Sequence, residues 1–273
     1  MTIMSSKSWI AKDVTIRGQH PELLGDVIDR LMLIPGYDPQ ALAETCINIH
    51  GVGGLGWHCA RVLARKLVGH LRLFDFDEVE ASNLNRCFYP RDVGRNKAEA
   101  AIDHLCPEIL ATTRLTAYPH RFESVAAAGI DVGCDLAIVA IDNDAGRTFA
   151  AEYYATTRTP CIFVAVDPHA TSGYVFIQSS LPNQACWSCV VPDPQPPEVM
   201  QQCVGSEPGL LHTMAGIVSY AVDSLVMDRV RQWNYFEVFQ DGLFHGGGTK
   251  TISVSDACAQ HRVHYHTNGY AGN

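Results

Sequence analysis

The sequence predicts an α/β fold, a mostly parallel sheet with helices on both faces. Three observations carry that prediction. Mainly apolar runs of strand length recur at 46–50, 71–75, 136–141 and 161–166, and the last two contain no polar residue. A strand that is apolar throughout is one buried on both faces, as parallel sheets require. Segments of helical period lie between these runs, at 57–66 and 97–105, so strands and helices alternate along the chain. Between the first strand and the first of those helices stands a glycine turn, Gly51-Val52-Gly53-Gly54-Leu55-Gly56.

The remaining elements can be taken in chain order. Residues 1–45 read as an N-terminal helical arm. In it, 21–32 has helical spacing, 34–39 is turn chemistry with two prolines and a glycine, and 41–44 is a short helix. The helix at 97–105 ends before Pro107, which cannot continue it. Strands are expected at 110–119 and 174–178. Residues 182–210 are rich in proline, cysteine and glutamine and read as an irregular loop. A helix is expected over 212–230 and strands at 233–240 and 249–254, with Gly246-Gly247-Gly248 as a loop between them. Residues 262–273 read as a frayed polar tail. No linker separates two domains, so 1–273 is expected to form one.

Of the 273 residues, 47 % are hydrophobic and 18 % charged, a globular composition. Twenty basic against 29 acidic residues leave a net charge of −9. That excludes a general nucleic-acid binder and means that any phosphate site is built locally. No apolar run approaches the length of a membrane span, and the start lacks the features of a signal peptide. The expectation is a cytoplasmic protein with no membrane partner, in which ten cysteines are not a disulfide framework.

The glycine turn lets backbone approach a phosphate, and the helix it opens supplies N–H donors and partial positive charge. Asp75 ends the next strand about twenty residues on, where an acid hydrogen-bonds ribose. These features fit a dinucleotide dehydrogenase as well as an ATP enzyme. The residues from Asp75 to Lys97 separate the two. Asp75-Phe76-Asp77, then Asn83-Leu84-Asn85-Arg86, then Lys97 gather an arginine, a lysine and amides past a strand's C-terminal end. A triphosphate needs that many donors. Asp142, at the end of the 136–141 strand, is an acid at the same edge, suited to Mg²⁺. A nicotinamide-dependent oxidoreductase would leave Arg86, Lys97 and Asp142 without a task, and so would a non-catalytic scaffold.

Together, the 51–56 turn, Asp75 and Asp77, the 83–86 segment, Lys97 and Ile141-Asp142-Asn143 resemble the E1-like superfamily over roughly 30–261. This superfamily includes molybdopterin-synthase and thiamin-thiocarboxylate adenylyltransferases and ubiquitin-activating enzymes. The resemblance implies a compact, bacterial-type E1-like adenylation fold, with a nucleotide-binding half at 46–167 and an acceptor-binding half at 168–260. It implies a Mg·ATP-dependent enzyme that adenylates the C-terminal carboxylate of a ubiquitin-like or sulfur-carrier protein ending in Gly-Gly. Gly51, Gly53, Gly54, Gly56, Asp75, Asp77, Asn83, Asn85, Arg86 and Lys97 would bind the nucleotide, and Asp142 the magnesium. Arg30 resembles the arginine that the family inserts into the partner subunit's site, which implies a homodimer. Cys87 departs from the family's usual glutamine, and Asn85 also varies. Related enzymes that adenylate a peptide or a tRNA base share the ATP site, so the acceptor stays open.

A second constellation is Cys186-Trp187-Ser188-Cys189 with Cys258-Ala259-Gln260-His261. Two pairs at this spacing are a zinc-ligand signature, here with a histidine as last ligand and His264 or His266 as alternatives. A redox role is disfavoured, because Cys186 is not expected to open a helix. Cys203 lies at the position where some family members form a thioester before transfer to an E2-like or sulfur-transfer partner. The remaining cysteines, Cys46, Cys59, Cys106, Cys134 and Cys161, read as core, and His50 as a packing residue.

Overall fold

The computed structural model describes residues 9–18, 21–181, 184–194, 205, 207–241, 243–256, 258 and 261. Nine strands form one sheet: β1 (Lys12–Ile16), β2 (Cys46–His50), β3 (His70–Phe74), β4 (Thr113–Tyr118), β5 (Leu136–Val139), β6 (Cys161–Val166), β7 (Ser172–Gln178), β8 (Tyr235–Asp241) and β9 (Leu243–Lys250). Their spatial order is β1-β4-β3-β2-β5-β6-β7-β8-β9. The five strands from β4 to β6 are parallel. β1 closes one edge antiparallel to β4, and β7, β8 and β9 extend the other edge as antiparallel neighbours. Sequence order reverses at β2, between β3 and β5, which makes the crevice there the topological switch point of the sheet.

Alternation along the strands splits the core in two. Ile47, Ile49, Leu71, Leu73 and Ile138 face one side, with α3 (Gly54–Arg65), α4 (Lys97–Leu105) and α8 (Pro208–Val226) packed over them. Phe74, Val139, Phe163 and Phe176 face the other, under α5 (Phe122–Ala127), α6 (Asp144–Thr157) and α7 (Trp187–Val190). The mostly parallel core with helices on both faces is as the sequence implies. The N-terminal arm contributes α1 (Leu24–Met32) and α2 (Pro39–Glu44). Asp38 caps α2, accepting from the N–H groups of Gln40 and Ala41. No residue of α1 is buried, and Val27, Met32, Leu33 and Ile34 around it are exposed.

Several expectations change. β1 carries no distinctive sequence signal, and its register against β4 supplies its structure. α8 begins at Pro208 rather than at 212, because Glu207 caps it by accepting from Gly209 and Leu210 N–H. At 19 residues α8 has the length and composition of a membrane span, contrary to the expectation that no such run exists. It packs against α3, β6 and β7 as a core helix. Gly246-Gly247-Gly248 is not a loop but the middle of β9, where residues without side chains pair with β8 across a register shift. The strand expected at 249–254 ends at Lys250. The expected irregular loop contains α7, and Cys186 is its N-cap residue, so that cysteine does open a helix, if only of one turn. Cys59 and Cys161 are buried as expected, whereas Cys46, Cys106 and Cys134 are only partly so.

Candidate active site

The site lies at the C-terminal ends of β2, β3 and β5. His50, the last residue of β2, is buried at the base of the pocket it helps to line, and burial holds its imidazole down to about 3. Its Nε2 meets the Tyr154 hydroxyl at 2.7 Å. Neutral and fixed, it is a packing residue. The chain then turns sharply. Gly51 has φ +81°, and a Cβ there would stand 2.8 Å from the Ala140 carbonyl. A Cβ on Gly56 would stand 1.8 Å from the Gly51 carbonyl, so the helix folds directly onto the turn. Gly53 caps α3 without a side chain, which leaves the first-turn N–H groups of α3 for an anion.

Asp75 follows β3. Its carboxylate accepts from Val52 N–H (2.7 Å) and Asp77 N–H (2.9 Å), which locks the glycine turn to the next strand. Burial pushes the Asp75 carboxyl up to about 6, against the pull of Lys97. Lys97 opens α4. Its N–H donates to the Asp77 carbonyl (2.9 Å), and its Nζ donates to Asp77 Oδ2 (3.0 Å). Burial pulls the Lys97 ammonium down, but Asp75 and Asp77 outweigh it and hold the group above the usual lysine range. Lys97 is thus a fixed cation.

Asn83 is buried and accepts from Glu80 N–H (3.0 Å). Arg86 Nη1 donates to the Ser82 carbonyl (2.7 Å) and to Asn85 Oδ1 (2.8 Å). Exposed Asn85 therefore braces Arg86 at the rim of the pocket. The Arg86 side chain lies over Gly54, where a Cβ would come within 3.1 Å of its Cδ. Asp142 is exposed at the mouth; Asn143, not Asp142, caps α6, accepting from Gly146 N–H (2.8 Å). One pocket is lined by Gly51, Gly53, Gly54, Asp75, Asp77, Asn83, Arg86, Lys97 and Asp142. Gly56 lies just behind the turn.

The structure does not bring Arg30 there. Its side chain is 86 % exposed on α1, 3.8 Å from Asp29. Cys203, His264 and His266 lie outside the described residues. Three pocket groups, and Asn96 behind them, carry no motif that singles them out in the sequence. Asn96 Nδ2 donates to the carbonyls of Asp75 (2.8 Å) and Asp77 (3.2 Å), while its side-chain oxygen caps α4. Arg121 stacks on Phe76 at 4.0 Å, and Glu123 and Arg147 complete the lining. The cap position of Asn96 before an acidic first turn is a signal that could have found it; the other three stand at or in helices with no such mark.

Away from the pocket, Cys186, Cys189, Cys258 and His261 converge, with all donor atoms within 4.8 Å of one another. Cys186 Sγ lies 3.9 Å from Cys189 Sγ, 3.4 Å from Cys258 Sγ and 3.8 Å from His261 Nδ1. Spacings of this order suit a tetrahedral ion with soft donors about 2.3 Å away. The donor set fits zinc.

A family model described as "ThiF family" matches residues 29–244. The chain belongs to the ThiF family. Among curated relatives of this ThiF-family chain is "Adenylyltransferase and sulfurtransferase MOCS3" of Drosophila sechellia, 31 % identical over 73 % of this chain and 44 % of that protein. Another is "Sulfur carrier protein adenylyltransferase" of Thermus thermophilus, 29 % identical over 71 % of this chain and 73 % of that one. The chain spans less than half the length of the MOCS3 relative. The crystal structure of E. coli MccB superposes with a TM-score of 0.70 at 16 % identity, covering 89 % of this chain and 74 % of that one. PaaA superposes at 0.65 and 18 % identity, covering 93 % and 76 %. The superpositions show the fold, and the family match with the adenylyltransferase relatives bears out the E1-like resemblance.

Proposed function

We propose that the protein is an E1-like adenylyltransferase that activates the C-terminal carboxylate of a small ubiquitin-like or sulfur-carrier protein. The observation that carries this is one pocket in which the glycine turn meets Arg86, Lys97 and Asp142. The acceptor's carboxylate oxygen attacks the α-phosphorus of ATP, the bond to the bridging oxygen breaks, and pyrophosphate leaves. The carboxylate is already ionised at neutral pH, so no general base is required. Catalysis is positioning plus charge neutralisation. Asp75 and Asp77 orient the ribose end, Asn83 and Asn85 brace the phosphate loop, and Arg86 and Lys97 meet the phosphates.

Asp142 would hold Mg²⁺, whose charge would offset that of the triphosphate. The zinc cluster would clamp α7 to the C-terminal segment and take no part in the chemistry. Cys203 is the candidate nucleophile for a later thioester, with transfer to an E2-like or sulfur-transfer protein. The unburied α1, with Arg30 exposed on it, supports a homodimer in which Arg30 completes the partner subunit's pocket, and the protein would act in the cytoplasm. Among its fold relatives, MccB has been solved with ATP.

The test is ATP–pyrophosphate exchange with Mg²⁺ and a panel of Gly-Gly-ending carrier proteins from the same genome. One carrier should support exchange, and Lys97→Ala and Asp142→Ala should each abolish it while keeping the native melting transition. Exchange that survives Asp142→Ala overturns the magnesium assignment. ATP binding without exchange for any carrier points to a peptide or tRNA acceptor, and tight binding of NAD in place of ATP overturns the reading altogether.

A further inference from the structure

Trp187 stands between the two cysteines of the first metal pair and is 1 % exposed. Its indole stacks on Phe163 of β6 at 4.9 Å and on Tyr174 of β7 at 6.1 Å. The Arg147 guanidinium lies over the same indole, 5.6 Å from its centroid. From there Arg147 reaches back along α6. Its Nε and Nη2 both donate to the Ile141 carbonyl, at 3.1 and 2.7 Å, and its Nη1 donates to Asp144 Oδ1 at 2.9 Å. Ile141 is the residue before Asp142. A carbonyl gripped by two N–H groups on one edge of a planar guanidinium is fixed in direction, and so is the peptide that leads into Asp142.

A second tie joins the same parts. Trp187 N–H donates to Gln178 Oε1 (2.9 Å), and Gln178 Nε2 donates to the Ala151 carbonyl in α6 (2.9 Å). Arg147 lines the pocket, yet each of its three nitrogens already has an acceptor. It is built to aim a neighbour rather than to hold a phosphate. Its side chain is only 10 % exposed, which strengthens the cation–π contact by desolvation. The element carrying Trp187 is one helical turn, too short to hold itself. It is held by Gln178 on one side and by the four-donor cluster on the other.

We propose that Arg147 is a positioning residue that couples the Cys186, Cys189, Cys258 and His261 cluster to the nucleotide pocket through Trp187. With the four donors closed on one ion, the turn at 186–189 holds Trp187, the indole holds the guanidinium, and the guanidinium aims Asp142. The coupling rests on the reading of Asp142 as the magnesium carboxylate.

The experiment is equilibrium binding of a non-hydrolysable ATP analogue, with and without Mg²⁺, with zinc content measured on every sample. Stripping the wild type with a chelator should weaken Mg²⁺-dependent binding about fivefold or more, the low end of ordinary site-to-site coupling. Binding without Mg²⁺ should change far less, because Asp75 and Lys97 are held through Val52 and Asp77 rather than through Arg147. Since stripping can loosen more than Trp187, zinc-loaded Trp187→Leu gives the same test with all four donors in place and should show the same loss. Trp187→Phe should restore the Mg²⁺ response, as it keeps an aromatic face and breaks no side-chain bond; Trp187 Nε1 has no partner among the described residues. Arg147→Lys keeps the charge without the planar fork and should lose the response. An equal Mg²⁺ response in wild type, stripped protein and Trp187→Leu overturns the coupling while leaving Asp142 as the metal carboxylate. A wild type that holds no zinc overturns the coupling alone, and one that binds nucleotide with no Mg²⁺ response overturns both.

Discussion

Burial sets the working range of Asp75. Its carboxyl titrates near 6 in the folded protein against 3.8 for an ordinary aspartate, so the protein enters mildly acid solution with this acceptor switching off. At pH 5 only about a tenth of Asp75 is ionised. Nucleotide affinity should therefore fall several-fold as pH drops from 7 to 5, and Asp75→Asn should bind weakly with a flat profile; a flat wild-type profile would contradict the ribose assignment. At this scale the sequence was legible wherever chemistry is local. Gly51, Gly56 and Asp75 act through their own backbone or the turn beside them, and spacing exposes them. Arg147 and Arg121 were not legible, because each acquires its task from a contact between segments far apart in the chain. Arg30 is the opposite case, a residue with a role by resemblance and no contact within its own chain that explains it.

Among elements, the glycine turn and α3 form the least forgiving junction. A methyl on Gly56 meets the Gly51 carbonyl, which is backbone and cannot step aside. Gly56→Ala should destabilise the fold by about 2 kcal/mol or more, read from denaturant unfolding. A methyl on Gly54 meets the Leu211 and Arg86 side chains instead, at 2.8 and 3.1 Å. Those can shift, so Gly54→Ala should keep near-native stability yet weaken nucleotide binding by displacing Arg86. Equal stability of the two variants would show the turn to be looser than its geometry implies. Four of the five parallel strands, β2, β3, β5 and β6, announced themselves by mainly apolar runs. β1 and β9 did not: β1 sits at an edge with one alternating face, and β9 carries three glycines that sequence rules assign to loops. Both owe their existence to a neighbouring strand rather than to propensity. The cap on Glu207 moved the start of α8 for the same kind of reason, a side chain reaching two residues ahead.

For the molecule as a whole, three histidines, His50 and His58 buried and His70 half-buried, govern acid stability. Burial lowers His50 to about 3 and His58 and His70 to about 4, against 6.5 for a free imidazole. The folded state thus refuses protons that the unfolded chain accepts below 6.5. The stability these groups contribute is complete above that pH and drains away as pH falls toward 4. Asp75 works in the other direction, since its raised value costs stability above about 6 and relieves that cost on acidification. Three groups against one should leave a melting temperature that declines from pH 6.5 to 4; a level curve over that window would mean that the imidazoles protonate without unfolding. The strand order was only half readable in advance. Alternating strands and helices imply the parallel middle of the sheet, but the antiparallel additions at both edges depend on hairpins and on chain return, which local sequence does not encode.

The exposed helix α1 makes one further demand. If Arg30 serves the neighbouring subunit, no protomer is an enzyme alone, and two separately dead proteins can repair each other. Mixed in equal amounts and allowed to exchange, Arg30→Ala and Lys97→Ala chains would form mixed pairs half of the time. Each such pair would hold one complete pocket, so about a quarter of wild-type exchange activity should return. Diluting the wild type should silence it, and the arginine on a solvent-facing helix would then be a reagent lent to a neighbour.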